Sequence, residues 1–206
     1  MEVLGERWAM LIVRELLLGP RRFSDLRETL PGISAKVLTE RLEGLAGWGV
    51  LEKKQLPPPV PAQVYELTEW GYTAGPAINE LGRWAARSCR HNPNLPLSAA
   101  SLMSSMQTMQ LPQLAQAPDQ VIGMQVGREY FRVAIEGGKL STTRAGMAEG
   151  DAVLRAKSAR TIAGAIYADI PLSVLEAEAG LAMEGDRALV ERFVRLFALP
   201  PKLDAR

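Results

Sequence analysis

Apolar residues recur at helical spacing through the first half of the chain, and at strand spacing through much of the second. Leu38, Leu42 and Leu45 give the stretch Ser34–Gly47 one apolar face, with Lys36, Thr39, Glu40 and Glu43 turned away from it. Ser34 is placed to cap this helix, because its hydroxyl can accept from a free amide of the first turn. A shorter helix, Phe23–Leu30, precedes it across Pro31-Gly32, a pair that helices do not easily continue through. Met1–Leu18 reads as a helix with two apolar stripes, Leu4/Trp8/Leu11/Ile12 and Val3/Met10/Val13/Leu17, stopped by Gly19-Pro20. A second stripe needs a second surface to cover it, either a partner subunit or the C-terminal half of the same chain. Val50–Leu56 and Gln63–Thr68 alternate as strands around the cluster Pro57–Pro61, which removes amide donors and blocks edge pairing. Thr68 then caps a longer helix reaching about Cys89, with Tyr72, Ile78, Leu81 and Trp84 apolar.

Arg90–Pro96, RHNPNLP, is a linker by composition, and the pattern changes after it. Ser98–Leu111 is a Met-rich amphipathic helix with Leu102, Met106 and Met109 on one face. Core filling is the ordinary use of such a face; methionine also adapts to irregular partners. From Gln120 the pattern predicts strand, strand, a Gly137-Gly138 hairpin turn and a third strand, with another strand at Ala152–Lys157. Ser158–Tyr167 and Pro171–Ala179 follow as helices, then a short strand Leu181–Glu184. Gly185-Asp186 opens a last helix, Arg187–Ala198, with Leu189, Phe193, Leu196 and Phe197 inward.

Two short helices joined by a tight turn fit an ordinary helical hairpin or a helix-turn-helix, whose second helix enters the DNA major groove. A hairpin carrying Lys53 and Lys54 directly afterwards tips the choice toward a winged helix-turn-helix with Ser34–Gly47 as recognition helix. Lys36 and Thr39 are then the candidates for base edges, with Glu40 and Arg41 next: lysine can donate to guanine, and a threonine methyl can meet that of thymine. Arg21 and Arg22, just ahead of the helix Phe23–Leu30, are placed as a phosphate clamp, or are simply two solvated charges. Lys53, Lys54 and Gln63 would lie along the backbone or minor groove.

Overall charge adds little, since the formal net charge is +1. Residues 1–92 hold 12 Lys+Arg against 11 Asp+Glu, and residues 93–206 hold 12 against 12, so a DNA footprint must come from local arrangement. One cysteine, Cys89, excludes an internal disulfide and fits a reducing compartment. With no apolar run of membrane-spanning length and no signal-like N-terminus, the expected location is the cytoplasm, without membrane association. No metal-ligand spacing, histidine-based triad or phosphate loop is present: His91 stands in the linker, and Glu176/Glu178 fall on different faces of a helix. Neither enzymatic activity, a cofactor nor a metal site is expected.

The sequence GERWAMLIVRELLLGPRRFSDLRETLPGISAKVLTERLEGLAGWGVLEKK…VYELTEWG resembles the HxlR-type winged-helix transcriptional regulators of the MarR-like group, over about the first 90 residues. The resemblance implies a bacterial or archaeal, homodimeric regulator of double-stranded DNA, dimerised through the first helix and the 69–89 helix. Redox-sensing members carry a cysteine on an arm ahead of that first helix; the arm is not among these residues, and sensing by that route is not expected. The stretch DAVLRAKSARTIAGAIYADIPLSVLEAEAGLAMEGDRALVERFVRLF, with the order strands, helix, short strand and GD-headed helix, resembles the sterol carrier protein type 2 fold over roughly Gln120–Leu199. That resemblance implies a curved sheet and helices enclosing an apolar space for a lipid-like ligand, here lined by Met103, Met106, Val133, Ile135, Ile162, Ile166, Leu175 and Phe193.

The expectation is therefore an α+β chain of two domains: a winged helix-turn-helix at 1–92 and an α/β sterol-carrier-like domain at 93–206, with the linker at 90–97. Its expected function is that of a homodimeric repressor on a pseudo-palindromic operator, with an apolar or lipid-like effector bound by the second domain. The alternatives are an apolar-ligand carrier whose winged helix makes protein contacts only, and a regulator whose second domain is a filled structural brace.

Overall fold

The computed structural model describes residues 2–57, 61–92 and 94–203, and the chain divides into two compact units, Met1–Glu80 and Leu81–Arg206. The expected tip of the wing at 58–60, within Pro57–Pro61, lies outside the described residues.

The first unit begins with α1 (Ala9–Leu16), α2 (Phe23–Thr29) and α3 (Ala35–Gly47). Two antiparallel strands, β1 (Leu51–Leu56) and β2 (Ala62–Leu67), follow in the register Leu51↔Leu67 to Leu56↔Ala62. Ser34 caps α3 as its sequence position suggested, accepting from the Val37 amide at 3.2 Å. Leu38, Leu42 and Leu45 are buried in one core with Ile12, Val13, Leu16, Leu26, Leu51 and Leu67, so the hydrophobic effect fixes which side of α3 is left facing solvent. Arg21 and Tyr65 exchange backbone hydrogen bonds of 2.9 and 2.8 Å, tying the segment ahead of α2 to the free edge of β2.

The first helix is shorter than its periodicity predicts, starting at Ala9 instead of Met1. Trp8 takes the left-handed backbone conformation (φ 78°), which a non-glycine residue adopts only when its surroundings hold it there. Tertiary contacts supply that hold. The Trp8 indole lies against the Gly32 turn, Glu6 ion-pairs with Arg41, and the Arg41 Nε donates to the Arg7 carbonyl. The second stripe of α1 is not an open face either: Val13 is fully buried, and Val3, Met10 and Leu17 pack partly buried against the same core.

The helix expected from Thr68 to Cys89 is broken into α4 (Glu69–Tyr72) and α5 (Gly75–Ala86). Thr68 does cap α4, accepting from the Gly71 amide at 3.0 Å while its hydroxyl donates to the Gly49 carbonyl at 2.7 Å. Pro76 explains the break, because its missing N–H is tolerated at a helix start and not in an interior.

The second unit holds α6 (Ala99–Thr108), β3 (Gln120–Val126), β4 (Glu129–Glu136), β5 (Lys139–Arg144), β6 (Ala152–Ala156), α7 (Ala159–Tyr167), α8 (Leu172–Glu178), β7 (Ala182–Gly185) and α9 (Arg187–Val194). Among the described residues it forms a five-stranded sheet of order β5-β4-β3-β6-β7, in which β3 and β6 are parallel and every other neighbouring pair is antiparallel. Ile122, Met124, Phe131, Val133 and Leu154 share one face by register and are buried. The other face carries Tyr130, Arg132, Gln125, Arg155 and Glu184. Ser98 and Ser158 cap α6 and α7 through the amides of Ser101 and Arg160. The last helix ends at Val194, short of Ala198, because Leu196 and Ala198 pair as extended backbone with Leu111 and Met109.

Candidate nucleic-acid interface

With its leucines committed to the core, α3 presents Lys36, Thr39, Glu40 and Glu43 on its exposed side. The Lys36 side chain is 86% exposed, and its ammonium lies 4.0 Å from Glu40, one helical turn on. So loose a pair, between exposed groups, contributes well under about 1 kcal/mol and leaves Lys36 free to exchange partners. Thr39 lies between them in sequence, with no side-chain ion or cap to hold it. Ser34 spends an oxygen lone pair on the Val37 amide and retains its hydroxyl hydrogen.

Three residues expected at the interface are placed differently. Arg41 is turned back onto the segment ahead of α1, ion-paired with Glu6 and donating to the Arg7 carbonyl at 3.2 Å, so its guanidinium is committed inside the unit. Arg21 is 8% exposed and its backbone is locked to Tyr65, which takes it out of the surface clamp expected of the arginine pair. Arg22 alone stays on the surface, at the N-cap of α2, where its amide donates to Asp25 at 3.3 Å. Lys54 sits between two carboxylates on the wing, Glu66 at 2.8 Å and Glu52 at 2.9 Å. Hydrogen bonds to Glu66 and then Glu52 hold its ammonium well above the usual lysine range. Its positive charge is matched locally before any phosphate arrives.

Lys53 and Gln63 remain exposed on the wing, on the strand face shared with Leu51, Leu67 and Tyr65. Gln55 is a further exposed amide there, directly opposite Gln63 in the register. Its place opposite Gln63 follows from the observed register, in which β2 begins at Ala62 and not at Gln63. The surface the first unit offers is thus the N-terminal half of α3 with Ser34, Lys36 and Thr39, joined by Arg22 and by Lys53, Gln55 and Gln63 of the wing. A helix of this width fits a B-DNA major groove, and a two-stranded ribbon can track the backbone beside it.

In the second unit, the eight residues expected to line an apolar space, Met103, Met106, Val133, Ile135, Ile162, Ile166, Leu175 and Phe193, are all buried, none more than 5% exposed. A surface cleft of this unit, about 370 Å³, is lined instead by Gln125, Gly127, Arg155, Ala156, Lys157, Gly180 and Ala182, none of them among the eight. No described helix is long and apolar enough to cross a membrane, and no described group of three or more His, Cys, Asp or Glu side chains could hold a metal ion.

The chain is similar to known proteins over about its first 90 residues. The HxlR-like helix-turn-helix family matches residues 3–93. The uncharacterized HTH-type transcriptional regulator YvaP of Bacillus subtilis (strain 168) is 40% identical over 85 residues, which are 41% of this chain and 78% of YvaP. The HTH-type transcriptional regulator YodB of the same organism is 39% identical over 87 residues, 42% of this chain and 78% of YodB. The solved reduced form of YodB aligns with 43% of this chain and 86% of its own, at 39% identity and a TM-score of 0.39. On its first 90 or so residues, the chain belongs to the HxlR-like helix-turn-helix family of transcriptional regulators.

Proposed function

We propose that this protein is a homodimeric transcriptional repressor that reads a pseudo-palindromic operator with one α3 per half-site. The observation that carries the reading is the division of α3: three leucines are fixed in the core, while Lys36 and Thr39 stand on the opposite, solvent-facing side. Lys36 and Thr39 contact base edges, with Glu40 beside them; Ser34 and Arg22 hold phosphates; Lys53 and Gln63 follow the backbone next to the groove. Half-sites lie about one helical turn apart, ~34–36 Å between centres. Trp84 and Leu81, exposed on α5, supply the apolar part of the dimer contact.

A Lys36→Ala, Thr39→Ala double variant tests this on a duplex selected from a random pool. Each lost base contact is expected to cost about 1–3 kcal/mol of discrimination, with folding and dimerisation unchanged. Binding by the variant as tight and as selective as the parent's would end the proposal. If no duplex from the pool is bound in a salt-sensitive way, the winged helix serves protein contacts instead.

For the second unit, the order strands, helices, short strand, GD-headed helix supports the sterol-carrier-like reading. An apolar effector would have to displace side chains that are fully packed, and to alter DNA affinity it must favour one dimer arrangement over another. That burial favours a second reading, a structural brace with a filled core. An apolar fluorescent probe separates the two: saturable uptake supports the effector, and no uptake supports the brace.

A further inference from the structure

The cleft in the second unit lies where the parallel strands β3 and β6 both end. In open sheets, ligands gather at the carboxyl ends of parallel strands, because the chain leaves the sheet there and opens a crevice. Register places Gln125, Arg155 and Ala182 in one row across β3, β6 and β7, on the polar side of the sheet, away from the packed core. Beyond that row the lining residues are Gly127, Ala156, Lys157 and Gly180. Four of the seven lining residues are glycine or alanine, and these small side chains leave the space open; Gly127 and Gly180 also adopt positive φ, where larger residues are strained. The charged lining is wholly cationic. Lys157 is exposed, and Arg155 pairs at 2.6 Å with Glu184, a carboxylate outside the lining. Gln125 donates one amide hydrogen to the Gly127 carbonyl at 3.2 Å and retains a second.

We propose that this cleft binds the anionic group, carboxylate or phosphate, of a small ligand, with Lys157 and Arg155 as its charge partners and the free Gln125 N–H as a donor. Arg155 is held in place by Glu184 and exchanges part of that pairing for the incoming anion. The site shares no residue with the DNA-reading face or with the apolar interior, so it stands whether or not either of those readings does.

Calorimetric titration of the full chain with inorganic phosphate and, separately, with decanoate tests the proposal. Saturable, salt-sensitive binding of at least one probe is expected. Comparable binding of both identifies a soluble anion as the ligand class, and much tighter decanoate binding identifies the headgroup of an acyl chain. Lys157→Ala is expected to weaken binding about tenfold, the loss of one charge-assisted contact. Glu184→Gln, which frees Arg155, is expected to tighten it severalfold, an effect a merely structural role for the pair would not give. Arg192→Ala, at an exposed arginine of the same unit outside the lining, should leave the binding unchanged and so excludes attraction to surface arginines in general. Absence of saturable binding for both probes, or equal binding by the parent and Lys157→Ala, overturns the proposal.

Discussion

Two glycines of the first unit show how differently the same residue can be used. A Cβ on Gly71 would lie 2.0 Å from the Val50 carbonyl oxygen, a backbone atom that cannot swing aside, so α4 closes onto the segment entering β1 only because nothing is there. Gly44, in the middle of α3, meets nothing within 4 Å and takes an ordinary helical conformation. Gly44→Ala should therefore raise stability by about 0.5–1 kcal/mol, while Gly71→Ala should lower it severely; urea denaturation of both variants checks the contrast. Tyr167 makes a pH-dependent contribution of its own. Burial pushes its phenol up against the smaller opposing effect of Ser105, whose hydroxyl donates to it at 2.7 Å. Because its folded value lies above the unfolded one, this contribution is complete below the ordinary tyrosine value of about 10 and is lost as pH climbs toward the folded value. Denaturation midpoints should fall over that alkaline range, and less so for Tyr167→Phe.

At the scale of elements, the wing separates two lysines that adjoin in sequence and differ in surroundings. Lys54 is already shared by Glu66 and Glu52, whereas Lys53 stands exposed on the other strand face. If the wing follows DNA phosphates, Lys53→Gln should reduce the slope of log affinity against log salt by about 0.9, and Lys54→Gln should leave it nearly unchanged. Fluorescence anisotropy over a salt series distinguishes them; slopes equal to the parent's for both variants would remove the wing from the interface. This contrast also marks what could be read from sequence. The leucine face of α3, the caps Ser34 and Thr68, the hairpin at Gly137-Gly138 and the succession of strands and helices along the second unit were legible, since each depends on residues a few positions apart. The burial of Arg21, the turning back of Arg41 onto Glu6 and the two carboxylates around Lys54 were not. Those depend on which segments meet in space, and periodicity holds no information about that. The left-handed Trp8 belongs with them, because its conformation is held by Gly32, far along the chain.

For the whole molecule, a recognition helix with two cleanly exposed base-reading candidates cannot reach the affinity of a specific operator by itself. Linking two such helices turns the second contact into an intramolecular one and multiplies affinity, by about 10²–10⁴ where the geometry allows both to engage. The apolar surface available for that linkage is narrower than the sequence suggested. The second stripe of α1 is packed against its own unit and Ile78 is buried, so the exposed large apolar side chains on α5 are Trp84, 72% exposed, and Leu81 one turn before it. An exposed tryptophan on a helix costs solubility unless something covers it, and a two-fold partner covers both copies with the same patch. A Leu81→Glu, Trp84→Glu double variant should therefore sediment as a monomer with its winged helix intact. Its binding to an isolated half-site should match the parent's, while binding to the full operator should fall toward that half-site level. A variant that still sediments as a dimer would place the two-fold contact elsewhere. A monomeric variant that still held the full operator as tightly as the parent would show that one recognition helix suffices, and the pseudo-palindromic arrangement would have to be given up.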